Sequence, residues 1–376
     1  MGPIMLSAGG TGGHVFPARA LAAELSSRGR SLALVTDPRG GDYERLFAGI
    51  PIYPVRAGTP SGRGAIGKIG ALLSIVIGTL QAHRVRRRLR PAAVVGFGGY
   101  PSLPGMLACL MSSVPTILHE QNAVLGRVNR LLASRVRAIA TSFEQTRGLP
   151  NSGGVRVVVT GNPVRPDVAA IGATDYRPPS LDEPFQLLVF GGSQGASVFA
   201  DVVPAAVKAL PEAMRQRLRI TQQCRPGERS AVEGIYGDLN VTAAVSDFFD
   251  DLPQRLAAAH LVIARAGAGT VSELAAAGRP AILVPYPHAM DDHQRFNAMG
   301  LTSAGGAIAF AQTDFDAVAL ADVLGDLIGA PGRLVAMAQR AREVGVPNAA
   351  AKLADLVEAL ADGAVQNRQL AEGVAS

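Results

Sequence analysis

At 376 residues, 48% of them hydrophobic and 18% charged, the chain is too long for one comfortable core and too apolar for disorder, so two α/β domains are expected. Cys109 and Cys224, the only two cysteines, exclude a disulfide framework or a zinc site and point to a reducing compartment. A net charge of +6 admits nucleic acid or an anionic surface as partner, and where the charge sits must decide between them.

No signal-peptide pattern opens the chain. A short apolar run, 4–8, passes straight into SAGGTGGHVFPARALAAEL, Ser7 to Leu25, in which four glycines separate a strand from a helix and His14 stands where they stop. A glycine loop opening a helix turns backbone N–H groups toward an anion, and the helix dipole favours negative charge there. Further strands are predicted over 31–36, 92–97, 115–119, 137–140 and 155–160. Between the second and third of these six strands runs KIGALLSIVIGTLQAHRVRRRLRP. Its apolar part, with Ile69, Leu72, Leu73, Val76 and Leu80, is too short to span a bilayer, which takes about 20 residues. Arg84, Arg86, Arg87, Arg88 and Arg90 form a basic cuff at its end. This suits a helix lying on an anionic membrane surface, where each arginine contributes on the order of 1 kcal/mol. The plainer reading is a buried helix with a solvated charged end. No aromatic residue interleaves with the arginines, so nucleic acid is not expected as a partner.

A proline-rich connector follows, with the hinge expected near 163–166. Strands are predicted over 185–190, 218–222, 261–265 and 281–285. IMLSAGGTGGHVFPARAL and LLVFGGSQGASVFADVV share the form strand, GG-[TS]-x-G, helix, as two nucleotide-binding halves facing each other across a cleft would. NAAAKLADLVEALA, from Asn348, reads as a capped amphipathic helix that crosses back to the first half. The tail after Asp362 is expected to be disordered.

In open parallel sheets ligands bind beyond the carboxyl ends of the strands. Five loops there are rich in glycine or polar residues: GGTGGH, GFGGYPS, HEQN, GGSQGA and RAGAGTVSE. Neither glycine loop has the spacing of a dinucleotide fingerprint or of a P-loop. In RAGAGTVSELAAAGRP, Thr270 and Glu273 have the form of a capping box, with Gly278 and Pro280 stopping the helix. The box does not need Gly267 and Gly269, and Glu273 could instead accept the ribose hydroxyls of a nucleotide. In YPHAMDDHQRFNA, His288, Asp291, Asp292 and His293 raise the question of a metal, but their spacing does not place two ligands on one helical face. Asp291 or Asp292 capping a helix, with Gln294 reaching a hydroxylated ligand, fits better.

GGTGGHVFPA, GFGGYPSLPG, LHEQNAVLGRVN, VTGNPVR, GGSQGA, RAGAGTVSELAAAGRPAILVPYP and DDHQRFNA occur in the order in which they stand in the MurG family of peptidoglycan glycosyltransferases, and over roughly residues 5 to 300 the chain resembles that family. The resemblance implies an α/β GT-B fold, two Rossmann-like parallel-sheet domains facing across a cleft. The divisions expected are an acceptor- and membrane-binding domain at 1–163, a UDP-GlcNAc-binding domain at 164–345, a returning helix at 346–362 packed on the first domain, and the tail at 363–376. It implies an enzyme that moves N-acetylglucosamine from UDP-N-acetylglucosamine to undecaprenyl-diphosphate-linked MurNAc-pentapeptide with inversion, peripheral on the cytoplasmic face of the cell membrane. A helix N-terminus, Ser193 and basic neighbours can stabilise the leaving diphosphate, so neither metal nor cofactor is expected. By the same resemblance Glu273 would hold the uridine ribose and the backbone at Phe249 the uracil edge. Ser193, Gln194, Thr270 and Arg265 would sit by the donor diphosphate, with Gly269 beside them. Asn122, Ala268 and Gln294 would contact the sugar, and Arg165 would lie at the interdomain cleft. On the acceptor side the loop Thr11, Gly12, Gly13 and His14 would face the lipid-linked diphosphate sugar with Tyr100 and Glu120. His293 departs from the glutamine some members carry, and the membrane patch lacks tryptophan.

His14 is then the candidate general base for the acceptor hydroxyl, since an imidazole near pKa 6.5 suits that task at neutral pH. The alternatives are that it caps the helix or orders the loop, with Glu120 as rival base or as the group that orients it. A non-hydrolysing UDP-sugar epimerase, a dinucleotide-dependent oxidoreductase using Asp37, and a non-catalytic nucleotide-sugar sensor are the competing functions.

Overall fold

The computed structural model describes residues 2–38, 43–59, 64–151, 153–192 and 195–373, and side chains except those of 65–66 and 364–373. The chain divides into two units, Met1–Val164 with Asn348–Ser376, and Arg165–Pro347.

The first unit holds seven parallel strands: β1 (Ile4–Ser7), β2 (Leu32–Thr36), β3 (Ile52–Pro54), β4 (Ala93–Gly96), β5 (Thr116–Glu120), β6 (Ala138–Thr141) and β7 (Arg156–Val159), in the order β3-β2-β1-β4-β5-β6-β7. Burial on both faces explains the apolar runs of the inner strands, whereas the edge strands β3 and β7 are part-exposed. Alternation still sorts the side chains: Ile4, Leu6, Ala93 and Val95 join one core, Met5 and Val94 the other. The first core is covered by the helices Gly12–Ser27 and Ala349–Gly373, the latter contributing Leu353, Ala354, Leu356, Val357 and Ala361. Arg28 reaches Asp355 at 2.6 Å and Glu358 at 2.8 Å, and Arg30 reaches Glu358 at 2.6 Å and Asp362 at 2.9 Å. Hydrogen bonds from Arg30 and Arg28 hold the Glu358 carboxyl below its ordinary range. This last helix runs on to Gly373, past the point at which disorder is expected after Asp362. Residues 363–373 hold no proline, and alanine, glutamine, leucine and glutamate there are good helix formers.

The second face carries the long helix Ala65–Leu89, which buries Ile75 and Ala82 in the core and Ala71 against the backbone at Gly58. Gly78 lies directly on the backbone carbonyl of Arg56, where a Cβ could not fit, so the helix sits close on the chain after β3.

The second unit holds β8 (Phe185–Phe190), β9 (Leu218–Gln223), β10 (Thr242–Ser246), β11 (Leu261–Ala264), β12 (Ala281–Leu283) and β13 (Ala307–Ala309), all parallel in the order β10-β9-β8-β11-β12-β13. Each sheet reverses its strand order once, at β1/β4 and at β8/β11, and a doubly wound sheet opens its ligand crevice at that reversal. The loops leaving those four strands are GGTGGH, GFGGYPS, GGSQGA and RAGAGT.

Candidate functional site

In the first unit, three loops meet above the ends of β1, β4 and β5. The helix Gly12–Ser27 starts after Thr11, whose backbone is extended and whose side chain caps nothing. Its ladder begins with His14 and Val15 donating to the Thr11 carbonyl, so the Gly12 and Gly13 N–H groups stand outside it in the first turn. The loop after β4 closes over this turn. Gly99 has φ +70° and ψ 155°, a region only glycine enters readily, and a Cβ there would lie 3.1 Å from Cδ2 and 3.2 Å from Nε2 of His14. Tyr100, the next residue, is half-buried against the second core.

The half-buried ring of His14 is held from the other side by Gln121, with Oε1 3.0 Å from Nδ1. Gln121 Nε2 lies 2.9 Å from Nδ1 of His119 and donates to the His119 carbonyl at 3.0 Å. His119 Nε2 lies 3.2 Å from the Gly161 carbonyl. His119 is fully buried, and burial pushes its imidazole down to about 4.

Glu120 neither orients His14 nor stands free as a second base. Its Oε1 accepts from Asn122 N at 3.0 Å and Asn122 Nδ2 at 3.3 Å. Its Oε2 accepts from Gly126 N and Asn129 Nδ2, both at 2.8 Å. Four donors match the four lone-pair sites of a carboxylate, and the buried side chain ties the loop 121–129 to β5. Asn122, expected at the sugar, is one of those donors. Gln121 and His119 took no part in the expected site. The signal available was their place in HEQN, but the partner of His14 lies 107 residues from it.

In the second unit the helix after β11 runs Ala268–Ala277, with Gly267 as its N-cap. Thr270 and Glu273 therefore form no capping box, because Thr270 is already inside the helix. Gly278 ends it in the left-handed conformation, as a C-terminal glycine should. The ladder begins with Val271 donating to the Gly267 carbonyl, which leaves the N–H groups of Ala268, Gly269 and Thr270 at the open first turn. Glu273 takes a two-pronged ion pair from Arg165, Nε to Oε1 at 2.8 Å and Nη2 to Oε2 at 2.9 Å. The buried Arg265 guanidinium donates to the carbonyls of Val284 (3.0 Å) and Pro285 (3.3 Å) and to Gln312 Oε1 (2.6 Å), so it joins the ends of β11 and β12. Burial lowers its pKa. Phe249 is half-buried, its ring 4.2 Å from the Arg255 guanidinium carbon. Ser193 and Gln194 lie outside the described residues.

Gln294 accepts from the Tyr286 N–H at 2.9 Å through Oε1, which turns its amide NH₂ away from that contact. Asp292 stands at the N-cap of the helix His293–Ser303 but caps nothing, pairing instead with Arg295 at 2.6 Å. Both Asp291 and Asp292 have positive φ, 52° and 55°, so the carboxylates are carried on a left-handed turn rather than a regular cap. His293 Nδ1 lies 2.7 Å from the Met290 carbonyl. Among the described residues, no three His, Cys, Asp or Glu side chains gather as a metal site.

On the helix Ala65–Leu89, Ile69, Leu72, Leu73, Val76 and Leu80 are 49–68% exposed. At 100° per residue they fall on one stripe, and the exposed Arg84 and Arg87 continue it, with Arg88 at its edge. Among the described residues no helix is long and apolar enough to cross a membrane.

Comparison with known proteins places these loops in a family. The N-terminal domain model of glycosyltransferase family 28 matches residues 4–141 and the C-terminal domain model residues 186–357. A UDP-N-acetylglucosamine–N-acetylmuramyl-(pentapeptide) pyrophosphoryl-undecaprenol N-acetylglucosamine transferase of Rhodospirillum rubrum is 53% identical over 359 residues, covering 96% of this chain and 92% of the relative. A protein of the same name from Rhodospirillum centenum is 51% identical over 357 residues, 95% of this chain and 94% of the relative. The crystal structure of Acinetobacter baumannii MurG superposes with a TM-score of 0.76 at 33% identity, over 95% of this chain and 99% of that one. Two Rossmann-like parallel-sheet domains of this kind are the GT-B fold.

Proposed function

Because the chain belongs to glycosyltransferase family 28, we propose that it moves N-acetylglucosamine from UDP-N-acetylglucosamine to the C4 hydroxyl of MurNAc-pentapeptide-diphospho-undecaprenol, inverting the anomeric carbon. The observation that carries the mechanism is His14, an imidazole braced at the open first turn of a helix. The N–H groups of Gly12 and Gly13, with Thr11, receive the acceptor diphosphate. His14 takes the C4 hydroxyl proton as that oxygen attacks the anomeric carbon. The bond from that carbon to the diphosphate breaks, and UDP leaves with the electron pair. A positioned base of this kind contributes about 10²–10⁴ in rate. Tyr100, next to the close-packed Gly99, shapes the acceptor side.

On the donor side, Glu273 accepts the ribose hydroxyls. The fork from Arg165 uses one lone pair on each carboxylate oxygen, so the other remains for the nucleotide while the carboxylate is held in place. The Phe249 backbone meets the uracil. The first-turn N–H groups of Ala268, Gly269 and Thr270, with Ser193 and Gln194, stabilise the charge growing on the leaving diphosphate, and the nearby Arg265 adds positive potential. The amide NH₂ of Gln294 addresses the sugar, while Asn122 serves to hold Glu120 and its loop. No metal is needed in this scheme. The exposed stripe of Ile69, Leu72, Leu73, Val76 and Leu80, cuffed by Arg84, Arg87 and Arg88, rests on the anionic cytoplasmic surface of the membrane, where the lipid-linked acceptor resides.

The test is UDP release from UDP-N-acetylglucosamine in EDTA, with and without a short-chain lipid-linked muramyl-pentapeptide. Acceptor-dependent release, with a product heavier by one N-acetylhexosamine, is expected. Conversion of the nucleotide sugar without acceptor would favour an epimerase, and binding without turnover a sensor. Complete loss in chelator, restored by magnesium, would overturn the metal-free part.

A further inference from the structure

The hydrogen-bond chain behind His14 has a direction, and that direction decides which ring nitrogen carries the proton. It starts at the Gly161 carbonyl, which can only accept. His119 Nε2, 3.2 Å away, is therefore the protonated nitrogen of that ring. Burial keeps His119 neutral, so its Nδ1 is bare and accepts from Gln121 Nε2 at 2.9 Å. The same amide nitrogen donates to the His119 carbonyl at 3.0 Å. Only the NH₂ end of an amide can face two acceptors, so Gln121 cannot be turned round. Its Oε1 then faces His14 Nδ1 at 3.0 Å, and a carbonyl oxygen there requires an N–H.

From this geometry we infer that Gln121 and His119 are positioning residues that lock His14 in its Nδ1–H tautomer and so keep Nε2 bare to receive a proton. A histidine side chain free in water favours the opposite, Nε2–H form, in which the nitrogen beside Gly99 would already be occupied. The chain reverses that preference at His14 and keeps it at His119. It also needs no rearrangement during reaction: once Nε2 is protonated, Nδ1–H still donates to Gln121 Oε1. A neutral amide supports the cation less than a carboxylate would, and it leaves the imidazole free to release the proton afterwards. The catalytic consequence rests on His14 being the base proposed above, whereas the tautomer itself does not.

Long-range ¹H–¹⁵N correlation spectra of the full chain labelled at histidine read the tautomers directly, with His14→Ala assigning the signal among the six histidines. At pH 8 His14 should show a protonated Nδ1 and a bare Nε2, and His119 the reverse pattern. A wild-type His14 with Nε2–H overturns the proposal without reference to any variant. In Gln121→Leu, His14 should shift to a mixture rich in Nε2–H. The variant's kcat should fall about tenfold or more, with KM for UDP-N-acetylglucosamine within about twofold, because the proposed donor contacts do not include Gln121 or His119 and only the competent fraction turns over. A Leu variant that folds and keeps both the tautomer and kcat would also overturn it. A wild type with the expected tautomers but no transfer would count against the transferase reading alone.

Discussion

Replacing His119 with glutamine should remove a loss of stability that the native chain suffers on mild acidification. The unfolded imidazole titrates near 6.5, while burial, reinforced by the charge of His14 and only partly offset by the Gly161 carbonyl, brings the folded one down to about 4. Between those values the unfolded chain binds a proton that the folded chain refuses, so unfolding free energy rises with pH. The stabilisation is full above pH ~6.5 and is lost as pH falls toward ~4. At about 1.4 kcal/mol per unit, the loss is roughly 2 kcal/mol between pH 7 and pH 5 and on the order of 3 kcal/mol by pH 4. Urea denaturation of wild type and His119→Gln at pH 7 and pH 5, followed by circular dichroism because the chain has no tryptophan, measures it. The variant loses hydrogen bonds and will be weaker at pH 7, but its further drop at pH 5 should be about 2 kcal/mol smaller than that of the wild type. Equal drops in the two proteins would refute a neutral, buried His119.

Arg165→Ala should raise KM for UDP-N-acetylglucosamine about tenfold with kcat within about threefold, since a charge-assisted fork that is part-exposed is worth roughly 1–2 kcal/mol; steady-state kinetics with an unchanged KM would count against Glu273 needing Arg165. Gly99→Ala places a Cβ 3.1–3.2 Å from the His14 ring on a backbone of positive φ, a strain of about 1–3 kcal/mol. Its kcat should fall at least about tenfold, and normal turnover would show that the ring has room. Leu72→Asp with Leu73→Asp and Val76→Asp should weaken co-sedimentation with anionic vesicles by about tenfold or more, leaving transfer to a short-chain acceptor in solution unchanged; undiminished vesicle binding would move the membrane contact elsewhere.

Both doubly wound sheets were legible because buried parallel strands are short apolar runs, and those beside the two reversals pass into glycine loops. The strands not foreseen, β3, β10 and β13, are all at sheet edges. IYP ends in proline, TAAVS exposes Thr242 and Ala244, and AIA is three residues long, so none has the apolar density of a central strand. The loop positions were legible for the same reason as the central strands. What the loops do to one another was not. Thr270 and Glu273 have capping-box spacing, yet Gly267 starts the helix three residues earlier, and the carboxylate goes to Arg165, 108 residues away. Glu120 reads as a catalytic carboxylate beside a histidine, but local N–H groups in its own loop saturate it. Gln121 carries no charge to draw attention, and only the fold brings β5 beside the helix that follows β1.

The central claim is that His14 acts on the acceptor and not on the nucleotide. It is tested most directly by comparing His14→Ala with wild type in acceptor-dependent turnover and in UDP binding by calorimetry. Turnover should fall about 10²–10⁴-fold while UDP affinity stays within about twofold. Turnover near that of the wild type, or an equal loss of turnover and UDP affinity, would contradict it.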